Sequence, residues 1–211
     1  MNQLRIVACL LGLAAGSLAA SNFSFTGSFS GDDGLQLFDV TVTSTSLVTF
    51  ETLSYGGGIN SAGTMISAGG FDPRLTWFQG DGTEIGSNNG GVCGPPNSFL
   101  GACNDAYVQV TLDPGSYVLA LTQDGNDPNG NLSDGFGETG NPNFTANGSC
   151  TQFCDSLSGD QLSPNWAVDI LSVNSAVSSP EPVSTALTGS GLVFLGLIVR
   201  RRKEKIRRKR T

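Results

Sequence analysis

Between residues 21 and 177 short runs carry apolar side chains at every second position, a spacing that suits a pleated strand and not a helix. In "LFDVTVTS", Phe38, Val40 and Val42 share one face while Asp39, Thr41 and Thr43 share the other. "SLVTFETL" repeats the pattern with Val48 and Phe50 inward. "RLTWFQGDGTEIG" reads as a hairpin, because Asp81-Gly82 supplies the positive-φ positions that a tight turn requires. "AYVQVTLDPGSYVLALTQ" reads as a second hairpin. Val108, Val110 and Leu112 lie on its first arm, Asp113-Pro114-Gly115 turns, and Tyr117, Leu119 and Leu121 return. "NWAVDILSV" is expected to form the last strand. The intervening stretches "YGGGINSAGTMISAGGFDP" and "QDGNDPNGNLSDGFGETGNPNFTANGSC" carry turn residues and are read as loops. The fold expected is all-β: an antiparallel, jelly-roll-like β-sandwich with long Gly/Asn/Asp-rich loops.

The two ends of the chain are built differently from this body. Residues 1–20 run from Arg5 through the apolar stretch Ile6–Ala15 to small residues, the order of a secretory signal, with cleavage expected after Ala19 or Ala20. "IVAC", ending at Cys9, follows too short an apolar stretch to serve as a lipid-attachment signal. At the other end, residues 183–199 are seventeen in number and uncharged. As a helix rising ~1.5 Å per residue they would reach roughly 26 Å, barely the thickness of a hydrocarbon core. Residues 200–211 open with Arg200, Arg201 and Arg202 and continue basic, which holds the tail on the cytoplasmic side and the body outside. Before the apolar run stands Pro180-Glu181-Pro182, within the linker 178–182. Two prolines around one residue keep that segment extended, a shape that a membrane-embedded protease can grip.

Pro180-Glu181-Pro182, the run containing "GSGLVFLGL" and the arginine cluster from Arg200, in that order at the chain terminus, resemble the PEP-CTERM sorting signal. The basic tail is longer than is usual for that signal. The resemblance implies a Gram-negative exporter that makes extracellular polysaccharide, with an exosortase-like membrane transpeptidase or protease as partner. It further implies a protein anchored transiently at the inner membrane, then cut and left at the cell surface or in the matrix. The body also resembles a known type. "GGFDPRLTWFQGDGTEIGSNN" and "VQVTLDPGSYVLALTQ" follow the plan of exported bacterial pre-peptidase C-terminal β-sandwich domains. The likeness runs from about Phe23 to Thr122 and implies an accessory or adhesive module without an established ligand.

Charge is strongly segregated. Residues 21–179 hold 16 acids against one base, Arg74, a net of −15, while nine of the 11 Lys and Arg fall between Arg200 and Arg210. Such a body repels nucleic acid and attracts cations, so no nucleic-acid partner is expected. Four cysteines remain after Cys9 leaves with the signal, an even number in an exported chain, which favours disulfides. Three pairings exist, and local closure favours Cys93–Cys103 and Cys150–Cys154. A zinc site fits less well, since "CTQFC" lacks the spacing of a zinc knuckle.

The chain has no histidine, and its body has no lysine. That removes Ser-His-Asp, Cys-His and Ser-Lys chemistry, and nothing marks a glycosidase carboxylate pair, so an enzyme is not expected. Calcium is the remaining chemical candidate, being a hard cation that takes carboxylate and loop carbonyl oxygens. Asp32 and Asp33 in "GDDG", and Asp124, Asp127 and Asp134 in "DGNDPNGNLSDGFGE", are the candidate ligands, with Asn126, Asn129 and Glu138 beside them. Neither stretch fits the EF-hand register, since Pro128 falls where an Asp or Asn is needed. Asn22, Asn131, Asn143 and Asn147 open glycosylation-type triplets that an Asn-rich chain generates by chance. The function expected is structural or adhesive, linked to exopolysaccharide or biofilm. The alternative is a calcium-dependent carbohydrate-binding module.

Overall fold

The computed structural model describes residues 19–90 and 104–179. Residues 1–18 of the expected signal peptide 1–20, Cys93 and Cys103, Pro180-Glu181-Pro182, the apolar run and the basic tail lie outside these residues. Among the described residues no helix is long and apolar enough to cross a membrane.

The body is an antiparallel β-sandwich. One sheet joins β1 (Ser21–Ser28), β10 (Asn165–Val173), β3 (Ser46–Thr52) and β8 (Tyr107–Leu112) in that spatial order. The other joins β11 (Ser175–Ser179), β2 (Leu35–Val42), β9 (Gly115–Gln123), β6 (Pro73–Gln79) and β7 (Glu84–Asn88). A short ribbon of β4 (Gly58–Ile59) and β5 (Met65–Ile66) stands apart from both. The alternation expected from the sequence places the core: Phe38, Val40, Val42, Val48, Phe50, Leu119 and Leu121 are all buried between the sheets. Phe71, Leu75, Val168 and Ile170 complete it.

Two expectations about strand order are corrected. Asp113-Pro114-Gly115 does not turn a hairpin. β8 pairs with β3 in one sheet, whereas β9 pairs with β2 and β6 in the other, so the turn carries the chain from one layer to the opposite layer. The physical reason is that both arms direct their apolar faces to the same interior from opposite sides. Tyr117 donates its hydroxyl to the Asp113 carbonyl (2.8 Å), and Asp113 accepts from Thr45 (3.0 Å), which fixes the corner. "NWAVDILSV" is not the final strand either, because β11 follows after Asn174 and zips onto β2. Asp81-Gly82 does turn a hairpin, joining β6 to β7, with Gly82 at φ +90°.

Both tryptophans lie over glycines of a neighbouring edge strand. Trp166 pairs with Gly27 on β1 and Trp77 with Gly86 on β7. A Cβ on Gly27 would stand 2.3 Å from the Trp166 ring, and one on Gly86 2.7 Å from the Trp77 ring. Each indole therefore occupies the space that a side chain would fill.

Candidate functional site

β6 begins where β9 ends, with Pro73 opposite Gln123. The next residues out, Asp72 and Asp124, consequently emerge together, and the Asp124 N–H donates to the Asp72 carbonyl at 2.8 Å. Segment 142–156 closes over this point and forms a cavity of 370 Å³, lined by Asp72, Gln123, Asp124, Phe144, Asp155 and Ser156 among others. Three acidic residues thus line one hollow.

The walls are held from behind. Asp32 is fully buried, and its carboxylate accepts from the Phe153 N–H (2.6 Å), the Thr145 N–H (2.9 Å) and the Thr145 hydroxyl (2.5 Å). The same Thr145 oxygen accepts from the Cys154 N–H at 3.0 Å. Cys150 and Cys154 are joined by a disulfide, the local pairing expected from their spacing. Phe153, enclosed by that bridge, has φ +50° and reaches into the core against Phe71. A bulky residue in the left-handed region needs support from its surroundings, and the Asp32 carboxylate and the core contact supply it.

Electrostatics inside the cavity are uneven. Burial, then the charges of Asp124, Asp155 and Asp105, push the Asp72 carboxyl up to about 7, against the opposing pull of Arg74. Burial also raises Asp155, but hydrogen bonds from Tyr55, Ser158 and Leu157 outweigh it and hold that carboxyl below the usual range. Tyr55 donates to Asp155 at 2.6 Å and is itself pushed up to about 12 by that bond and by burial. Among the described residues, Asp72 Oδ1 and Gln123 Oε1 are buried without a hydrogen-bond partner. Behind Asp72 sits Asp105, raised by burial although Gly56, Thr52 and Tyr55 all donate to it.

The carboxylates singled out for calcium take up separate posts. Asp32 holds segment 145–153, and Asp33 accepts from the Gly140 N–H at 3.0 Å. Asp124 and Asp127 flank Arg74, at 3.3 and 2.6 Å. Asp134 accepts from the Asn131 N–H at 2.9 Å and caps the short 3-10 turn Leu132–Asp134. Asn126 is fully buried, donating to the Asp33 carbonyl and accepting from the Glu138 N–H, while the Asn129 N–H donates to the Gly135 carbonyl. Among the described residues no three acidic or cysteine side chains converge as a metal site would require. Of these candidates, Asp124 is the one that lines the cavity. Sequence reasoning missed Asp72, Gln123, Phe144 and Asp155. Asp72 stands in the conspicuous "GGFDP", and Asp155 directly follows "CTQFC"; Gln123 and Phe144 carry no local signal.

No family model matches the chain, and no curated protein matches it in sequence. Among solved structures, the chain is similar to the pre-peptidase C-terminal domain of a collagenase from Bacillus anthracis. The identity is 12%, covering 74% of this chain and 90% of that one, with a TM-score of 0.34.

Proposed function

We propose that the protein is an exported structural or adhesive component of the cell surface or extracellular matrix, sorted by its C-terminal tag. An exosortase-like membrane transpeptidase or protease recognises Pro180-Glu181-Pro182 while the apolar run and basic cluster hold the chain at the inner membrane. It then releases the β-sandwich to the exterior, where exopolysaccharide is its surrounding medium. The observation that carries this reading is the order of the ending: Pro-Glu-Pro, seventeen uncharged residues, then nine bases between Arg200 and Arg210. Two features of the body support it. Its net charge of −15 over residues 21–179 opposes retention at anionic surfaces. Its disulfide Cys150–Cys154 suits an oxidising compartment.

Intact-mass spectrometry of protein recovered from the exterior of native cells tests the reading. The expected mature chain begins near Ala20 or Ser21 and stops in the neighbourhood of Pro-Glu-Pro. Exterior protein that still carries Arg210 overturns it.

A further inference from the structure

We propose that Asn147 is a self-modification site, converted to aspartate or isoaspartate through a cyclic imide that it forms with Gly148. The inference concerns the body and stands independently of the export signal.

The chemistry needs only water. The Gly148 amide nitrogen gives up its proton and attacks the side-chain carbonyl carbon of Asn147. The new N–C bond closes an imide ring, the bond from that carbon to Nδ2 breaks, and the nitrogen leaves with the proton as ammonia. Water then opens the ring at either carbonyl. One opening restores the normal backbone with an aspartate, and the other routes the chain through the side chain as isoaspartate. A glycine after the asparagine favours closure, because it has no Cβ to obstruct the approach and its backbone turns freely.

Asn-Gly pairs occur at Asn89, Asn129 and Asn147, and the fold sets them apart. Asn89 is held at both reacting groups: its side-chain amide donates to Asp124 at 2.9 Å, and the Gly90 N–H donates to Asn88 Oδ1 at 3.1 Å. At Asn129 the attacking nitrogen has an anionic neighbour, since Asp134 Oδ2 lies 3.1 Å from the position of a Cβ on Gly130. A carboxylate so close disfavours the deprotonated nitrogen that must attack. Asn147 has neither restraint. Residues 146–149 are all exposed, and among the described residues neither the Asn147 side chain nor the Gly148 N–H makes a hydrogen bond. Gly148 stands at φ +60°, and nothing lies within 4 Å of where its Cβ would be.

The product alters its surroundings. Two backbone bonds between Asn147 and Cys150, both at 3.1 Å, close the turn around Gly148 and Ser149. Isoaspartate lengthens the backbone of a loop whose length sets its geometry, so those bonds do not re-form in register. Asn147 also lines the cavity with Asp72, Asp124 and Asp155, so conversion adds a fourth acidic residue to its wall.

Peptide mapping by mass spectrometry of the full chain, aged in mildly alkaline buffer with and without denaturant, tests the proposal. In the native protein, conversion is expected first at Asn147, about tenfold ahead of the doubly hydrogen-bonded Asn89, with Asn129 between them. In denaturant the three sites are expected to converge, because each then precedes an unrestrained glycine. Asn147→Gln, at an exposed side chain, is expected to fold normally and to abolish the early release of ammonia, since its larger imide ring closes far more slowly. Conversion that begins at Asn89 or Asn129 overturns the proposal. So does ammonia release unchanged in Asn147→Gln, or a native order of sites that persists in denaturant.

Discussion

Asp32 shows how one side chain can organise a segment remote in sequence. Its two oxygens collect donors from Thr145 and Phe153, 113 and 121 residues further along the chain. They thereby hold Phe153 in a backbone conformation that its bulk disfavours. Asp32→Asn keeps the volume but turns an amide donor toward N–H groups. A loss of about 3 kcal/mol of unfolding free energy is expected in chemical denaturation. Asp134→Asn, whose carboxylate caps an exposed turn, is expected to cost under about 1 kcal/mol in the same measurement. Equal effects of the two would contradict the role given to Asp32. "GDDG" is conspicuous in the sequence, yet its composition suits a cation ligand and a hydrogen-bonded staple equally well. The difference lies in which distant N–H groups arrive, and residue type does not encode that. Gln123 illustrates the opposite case: its amide oxygen is buried without a partner among the described residues, and that leaves no mark on the sequence.

Strands themselves are legible, because burying one face of a sheet imposes a two-residue period, and Phe38, Val40 and Val42 obey it. Strand partners are less so. Asp81-Gly82 and Asp113-Pro114-Gly115 both reverse the chain between alternating runs, but one joins strands within a sheet and the other joins the two sheets. Either arrangement hides the same apolar residues, so alternation cannot choose between them. β1 was harder to see for a related reason: Gly27 interrupts it, and the buried surface there comes from Trp166 on the neighbouring strand. Gly27→Val is therefore expected to displace the indole and cost about 1–3 kcal/mol. The measurement is tryptophan emission, which should shift to the red as Trp166 loses its cover. Unaltered emission and stability would show that the ring does not depend on that glycine.

Across the whole molecule, the acidic balance was plain from composition, but its placement was not. Acids are gathered in the interior as well as on the surface. Burial, then the charges of Asp169 and Asp105, push Glu51 from 4.5 up to about 7, and burial with Asp124, Asp155 and Asp105 does the same to Asp72 from 3.8. The unfolded chain releases these two protons near pH 4, whereas the folded chain keeps them until about pH 7. Between those limits the folded state binds more protons, so stability falls as pH rises. The thermal midpoint is expected to be higher at pH 5 than at pH 8. Glu51→Gln or Asp72→Asn should raise the pH 8 value and flatten the slope. A midpoint that climbs toward pH 8 would contradict this. Glu51 owes its position to a strand register that sets it directly opposite Asp169, a pairing of like charges that no local pattern announces.

β11 ends at Ser179, whose carbonyl accepts from the Gln36 amide at 3.0 Å and whose hydroxyl donates to Asp39. Pro180 follows immediately in the sequence. On the reading proposed above, the cutting enzyme has no slack to work with. It must either seat the side of the sandwich at its own mouth or first strip five residues from β2. On that reading the closing strand would act as a latch, and the ease with which its seam peels would set the pace at which the body is let go.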